Sequence, residues 1–283
     1  MRSVKYLVAA GAASLLSSMA SAADMAIAPP PMSYAPPPVA DFGGWYLRGD
    51  IGFSNQSVNN IRNTNAALNA SVSSLQETTG FDTGGTYQLG AGYQFNSWFR
   101  VDVTGEYRGN TNFHGLDLIT FPNSGVTGFG SDVYSAQKSE WLFLANAYVD
   151  LGTWYCITPY IGAGIGTARV QIANFTDSGV SSLSGGGVGP SLVSAQTGSE
   201  WNFAWALHAG LAYKVTPNMT VELAYSYVNL GNGTTGVDSA FDGSVGGHVF
   251  KFNNITSNDV KLGVRWNLDS PPVYAPPPLV TKG

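Results

Sequence analysis

In a chain of 283 residues, 35 are glycine, 12% are aromatic and only 11% are charged, whereas about 25% charge is usual in a soluble domain. The 13 basic side chains stand against 18 acidic ones, a formal net charge of −5, which is the wrong footprint for nucleic-acid binding. A single cysteine, Cys156, excludes an internal disulfide framework; the sequence places it in a turn, Gly152 to Cys156, as a semi-buried thiol without a role.

At the N-terminus, Arg2 and Lys5 precede an apolar run from Tyr6 to Leu16, and Ala20-Ser21-Ala22 has the small-x-small pattern of a cleavage site. The run is shorter than the roughly 20 residues that a membrane-spanning helix needs, so residues 1–22 are predicted to be a cleaved signal peptide. Without Arg2 and Lys5 the basic count falls from 13 to 11 and the net charge becomes −7. Residues 23–43 follow as a proline-rich linker, with Pro29-Pro30-Pro31 and Tyr34-Ala35-Pro36-Pro37-Pro38. Such segments favour extended polyproline geometry and lack the N–H groups that a sheet ladder uses.

From residue 44 the pattern is period-two alternation over stretches of about ten residues, the signature of outer-membrane strands. Gly44–Ser54 sets Trp45, Leu47, Ile51 and Phe53 against Tyr46, Arg48 and Asp50. Thr86–Phe95 sets Tyr87, Leu89 and Tyr93 against Gln88 and Gln94, and Trp98–Arg108 sets Val101, Val103 and Tyr107 against Arg100, Asp102, Glu106 and Arg108. Glu140–Leu151 sets Trp141, Phe143 and Val149 against Glu140, Asn146, Tyr148 and Asp150. Thr158–Arg169 repeats the rule with glycines on its second face. Phe203–Val215 opposes Trp205 and Leu207 to His208 and Lys214; Thr220–Asn229 opposes Leu223 and Tyr225 to Glu222. Asn258–Leu268 opposes Val260, Leu262 and Trp266 to Asp259, Lys261 and Arg265.

Between these eight segments short turns (96–97, 152–156, 216–218) alternate with long connections (55–85, 109–138, 170–201, 230–257) rich in Gly, Asn, Ser and Thr. Residues 269–283 close the chain as a second proline-rich tail that repeats Tyr-Ala-Pro-Pro-Pro at Tyr274–Pro278. The charged face of each strand could not be the outside of a barrel whose other face is aromatic. Turning the apolar side chains to lipid and the charges inward satisfies both faces, and closure pairs every backbone group in hydrocarbon. The predicted fold is therefore all-β: an eight-stranded antiparallel up-and-down transmembrane barrel over residues 44–268, in a Gram-negative outer membrane. Both tails are expected in the periplasm, and the long loops outside the cell, mobile and open to protease. The loops carry Glu77, Asp82, Asp117, Asp132, Asp177, Glu200, Asp238 and Asp242 against Arg62, Lys138 and Lys251, a net of −5.

Gly44-Trp45-Tyr46-Leu47-Arg48-Gly49 at the first strand, Pro159-Tyr160-Ile161-Gly162-Ala163-Gly164-Ile165-Gly166 at the fifth and Val260-Lys261-Leu262-Gly263-Val264-Arg265-Trp266 at the last carry a family resemblance. Over residues 43–268 the chain resembles the small outer-membrane barrels of α-proteobacteria, the opacity-type surface antigens and their porin-named relatives, which share the barrel of the OmpA type. Members of that family commonly end on a terminal aromatic that acts as an assembly signal; here fifteen residues follow Leu268. The resemblance implies outer-membrane lipid, lipopolysaccharide and the barrel-assembly machinery as partners.

The inward charges are the candidate site: Arg48, Asp50, Arg100, Asp102, Glu106, Arg108, Glu140, Asp150, Lys214, Glu222, Asp259, Lys261 and Arg265, six positive against seven negative. An eight-stranded interior is just wide enough for side chains to fill it, which favours an ion-pair plug over a conduit for small solutes. Trp98, Trp154 and Trp266 at one end, with Trp141, Trp201 and Tyr227 at the other, read as aromatic girdles. His114, His208 and His248 lie at no recognisable catalytic spacing, and no His/Cys/Asp cluster has metal-ligand spacing, so no cofactor, metal or catalytic residue is expected. A structural or surface-interaction role is the leading reading, with a small-solute porin second and a lipid-modifying enzyme third. The tails read as solvated spacers or as docking segments for the cell wall or a periplasmic protein.

Overall fold

The computed structural model describes residues 43–241, 243 and 246–269. The predicted signal peptide, most of the proline-rich linker, Asp242 and the tail from residue 270 lie outside the described residues.

In chain order the strands are β1 (Gly44–Ser57), β2 (Asn60–Asn63), β3 (Ser74–Phe81), β4 (Gly84–Gln94), β5 (Phe99–Asn123), β6 (Val126–Asp150), β7 (Ile157–Ser182), β8 (Val188–Ala195), β9 (Gly198–Lys214), β10 (Met219–Thr234), β11 (Asp238–Ala240) and β12 (Phe250–Asn267), with one short helix, α1 (Ala66–Ser71). Among the described residues β1, β4, β5, β6, β7, β9, β10 and β12 pair antiparallel in that order, and β12 returns to β1, so the ring has no free edge. An open edge in hydrocarbon would leave unpaired N–H and C=O groups at several kcal/mol each, the physical reason for closure. Alternation then decides direction. Val103 is 64% exposed on the outer face and its neighbour Thr104 is 3% exposed in the interior.

Two aromatic belts mark the depth of the membrane. Tyr107, Trp141, Arg169 and Trp201 lie in register across β5, β6, β7 and β9 at the long-loop end. At the short-turn end Trp98, Trp154 and Trp266 project outward, and the Asp150 N–H donates to the Trp98 carbonyl at 2.8 Å. From Trp141 to Asp150 strand β6 runs about 30 Å at ~3.3 Å per residue, which a tilt of ~40° brings close to the ~25 Å apolar band of such barrels. Tyr227 is half-buried against Trp205, with ring centres 5.6 Å apart.

Beyond the Trp141 belt the strands do not stop. β5, β6 and β7 stay hydrogen-bonded in that order far above it, β3 adds to β5, β8 adds to β7 and β11 to β8, and β2 adds to β12. The long connections thus form a sheet extension over much of their length. Local chemistry explains how the period-two pattern hid this. Register shifts fall between Arg108 and Thr111, at Ser135/Gln137 and on both sides of Gly231. Asn174, Asn254 and Gly231 take positive φ (52°, 54° and 80°), as residues of β-bulges do. Each bulge adds a residue and reverses which parity faces inward. In β5 the buried residues are Arg100, Asp102, Glu106 and Arg108 below the shift, then Thr111, Phe113 and Asp117 above it. β12 changes in the same way at Asn254, from Ile255 and Ser257 to Phe250 and Phe252.

The extension also reverses chemical sense. Phe113, Tyr134, Val170, Ile172, Phe175, Leu230, Phe250, Phe252 and Ile255 are buried inside it, while Asn112, His114, Ser135, Gln137, Asn174, Asn232, Lys251 and Asn254 face out. At the other end, the turn after β6 leaves Cys156 exposed rather than semi-buried. Its carbonyl accepts from Lys214 N–H at 3.2 Å, but its side chain projects past the last paired residues.

Candidate functional site

The interior between the belts holds two ion-pair groups joined by Gln88, which donates to Asp50 at 3.0 Å and accepts from Lys261 at 3.0 Å. On β1, Arg48 reaches Asp50 Oδ1 at 2.8 Å, Asp102 Oδ2 at 3.0 Å and Glu222 Oε2 at 3.5 Å. Glu222 on β10 also faces Arg100 Nη2 at 3.6 Å and Arg265 Nε at 3.3 Å, so one carboxylate gathers three guanidinium groups. Arg100 continues to Asp150 Oδ1 at 3.3 Å and lies over the rings of Tyr148 and Tyr160, 4.2 and 4.6 Å from their centres. Nearer the outer belt, Arg108 meets Glu106 Oε1 at 2.9 Å, Asp259 Oδ2 at 2.6 Å and Glu140 Oε2 at 3.9 Å. Lys261 pairs with Glu106 and reaches Asp259 at 3.8 Å.

Of the sequence-predicted interior charges, Lys214 is the exception. It is the last residue of β9, and although its parity points inward, it is exposed at the rim where the ring has no layer below it. Lys138, which the sequence reading left in a loop, takes its place: it is 1% exposed and paired with Glu140 and Gln56. The balance among the described residues is again six positive to seven negative. The signal for Lys138 was available, since Lys138 and Glu140 share parity on one continuous strand.

Neutral groups close the network. Asn146 donates its amide to Asp102 Oδ1 at 2.8 Å and Thr104 Oγ1 at 3.1 Å, which leaves its oxygen to accept from His208 Nε2 at 3.1 Å. His208 Nδ1 then accepts from the Ser226 hydroxyl at 2.8 Å. Room for the two large rings comes from the strand alongside: a Cβ at Gly210 would lie 2.6 Å from the Tyr160 ring, and Gly162 admits Tyr148 in the same way. That is the physical content of the glycine-rich second face of β7.

One wall of the lumen is apolar. Leu142 and Leu144 on β6, Ala168 on β7, Ala204 and Ala206 on β9 and Val228 on β10 lead from the outer-leaflet level into the core of the extension. Arg100 and Asp259 have 0% exposure and Arg108 1%. A water-filled conduit would wet its lining side chains; these are buried.

Other chemistry-bearing groups are scattered. His114 is exposed, 3.8 Å from Asp82, and the His248 backbone N–H donates to Asp238. Among the described residues no group of three His, Cys, Asp or Glu side chains is arranged to hold a metal. In the extension, however, a cavity of about 110 Å³ is lined by Asp117, Asp132, Asp177, Tyr134, Leu75 and Phe250, among others.

Comparison with known proteins agrees with this architecture. Residues 9–267 match the family model described as "Outer membrane protein beta-barrel domain". An uncharacterised protein of Brucella abortus is 32% identical over 234 residues, covering 76% of this chain and 78% of its own. The outer membrane protein PagN of Salmonella typhimurium is 29% identical over 198 residues, covering 66% and 75%. A Rickettsia bellii protein named as an adhesin is 27% identical over 234 residues, covering 81% and 91%.

Proposed function

The chain belongs to the outer-membrane β-barrel domain family, and on that footing we propose that it is a plugged, non-catalytic surface protein whose sheet extension meets partners outside the cell. The observation that carries this is the filled lumen. Charges at 0–7% exposure below and a packed apolar core above leave the extension, not a pore, as the part open to the surroundings. The adhesin name of the Rickettsia relative supports the same reading. Both ring nitrogens of His208 are taken up within the network, by Ser226 and Asn146.

In this reading residues 1–22 are removed on export. The apolar outer face contacts outer-membrane lipid and lipopolysaccharide, the barrel-assembly machinery inserts the chain, and the tails remain in the periplasm as spacers or as contacts to the cell wall.

The test combines two measurements on the full chain. Reconstituted in planar bilayers it should give no stable conductance steps, and displayed on cells it should raise their retention on protein-coated surfaces. Replacing residues 112–136 with a short turn should abolish retention and leave the barrel inserted. Stable conductance by the intact chain, or retention that survives the truncation, would sink the reading.

A further inference from the structure

The extension contains a group of acids that its own packing does not explain. Asp117 on β5 and Asp132 on β6 lie directly opposite each other in register, and Asp177 on β7 lies opposite Tyr134 on β6. Like charges in direct cross-strand pairs destabilise a sheet, and no fold requires them. All three line the cavity of about 110 Å³.

Asp117 is 6% exposed. Its Oδ2 accepts from the Tyr134 hydroxyl at 3.0 Å, but its Oδ1 is buried without a partner, as is Asp177 Oδ1. Asp132 accepts only a long contact from Ser191 on β8, 3.5 Å. Arg62 on β2 also lines the cavity, but its guanidinium is paired with Glu77 of β3 at 3.0 Å, and the same Glu77 accepts from the Ile61 N–H at 2.6 Å. Asp238 on β11 is held by Asn63 at 3.1 Å and by the His248 N–H. Among the described residues no salt bridge reaches the three aspartates, whereas each carboxylate of the membrane-level network has a basic partner.

We propose that this cavity receives a positively charged side chain, the guanidinium or ammonium end of an arginine or lysine presented by a partner polypeptide. The walls favour that occupant over a bare ion. Ile61, Leu68, Val72 and Leu75 suit an aliphatic stem, Tyr134 and Phe250 offer ring faces, and the orphaned carboxylate oxygens supply acceptors for its N–H donors. Burial, with the charges of Asp132 and Asp117 added, pushes Asp177 up to about 8; burial likewise pushes Asp117 up to about 6 and raises Asp132. Those protons are what an arriving cation would displace. The proposal rests on the surface-contact reading and gives its partner a chemistry.

The experiment is a calorimetric titration of the full chain in lipid nanodiscs with a tetra-arginine peptide and its neutral tetra-citrulline counterpart. The arginine peptide should bind and the citrulline peptide should not. The affinity should fall at least tenfold between pH 8 and pH 5, as the carboxylates take up protons. D117N combined with D177N should lower it at least tenfold, and D82N, which removes an exposed carboxylate that does not line the cavity, should leave it unchanged. Equal binding of both peptides overturns the proposal, as does a D82N effect as large as that of the double variant. Binding of calcium chloride alone, without a response to arginine, would replace the occupant with a metal and overturn it too. Because these outcomes come from unmodified protein as well as variants, misfolding of the double variant leaves the test intact. Failure here with cell retention preserved removes the cavity proposal and leaves the surface-contact reading standing.

Discussion

The barrel between its belts and the extension above them are continuous strands built on opposite chemistry. Below the Trp141 belt the outer face is apolar and the inner face carries Arg48, Arg100, Arg108, Lys261 and their carboxylates. Just above it Phe113, Phe175, Phe250 and Phe252 point inward and Asn112, Ser135 and Gln137 point outward, while farther out Leu116, Phe129 and Val133 are exposed. The strand geometry is the same in both; the solvent is not. Lipid draws the apolar face out and forces polar groups to satisfy each other inside, whereas water draws the polar face out and lets apolar side chains make the core. Bulges at Gly231, Asn254 and Asn174 carry three of the strands past the boundary.

Breaking the charge-built region should have the largest effect. Glu222→Gln leaves Arg48, Arg100 and Arg265 without their shared carboxylate, and removing one partner of a buried network costs about 3–5 kcal/mol. Urea titrations in lipid vesicles should show the whole barrel weakened; a loss below 1 kcal/mol would mean that the network tolerates a missing charge.

The apolar region should fail more locally. Phe252→Ala empties a ring packed 5.0 Å from Phe113, a change that costs about 3–4 kcal/mol where the core cannot collapse. Hydrogen exchange should quicken above the Trp141 belt and stay slow below it. Uniform quickening along β12 would show one cooperative unit instead of two.

A lysine scan of the outward face locates the boundary itself. Val103→Lys meets lipid near the midplane and should cost about 2–4 kcal/mol. Val133→Lys, on an exposed residue of the extension at 53%, should stay within about 0.5 kcal/mol. Similar costs at both sites would move the membrane edge above β6 residue 133.

The smallest effect is the pH response of the extension. The carboxyls of Asp177 and Asp117 are raised by burial above the ordinary value of 3.8, to about 8 and about 6. In the unfolded state they ionise near 3.8, so their contribution favours folding most below that pH and is lost as pH climbs toward 8. Amides around Tyr134 and Thr176 should therefore open more readily at pH 8 than at pH 5, after correction for intrinsic exchange. No difference would show that the three carboxyls are stabilised by groups other than those around them here.

The alternation of Trp45, Leu47, Ile51 and Phe53 with Arg48 and Asp50, repeated along eight segments, determined barrel, strand number and inward charges before any coordinates, because a side-chain period of two allows only two faces. It placed twelve of the thirteen named charges in the lumen; Lys214 escaped because parity does not say where a strand runs out of layers. The extension was illegible for a related reason: a single bulge residue flips parity, and the signal on each side then cancels in any one window. Lys138 lies behind no such break, since β6 keeps one buried parity from Tyr134 to Asp150. Which charge meets which depended on the shear of the closed ring, which brings Glu222 of β10 against Arg48 of β1 and Arg100 of β5, residues far apart in sequence. The same closure put Thr104 beside Asn146, whose amide it shares with Asp102. It also set three aspartates around one cavity, a juxtaposition that belongs to the register of β5, β6 and β7 and to no stretch of the chain alone.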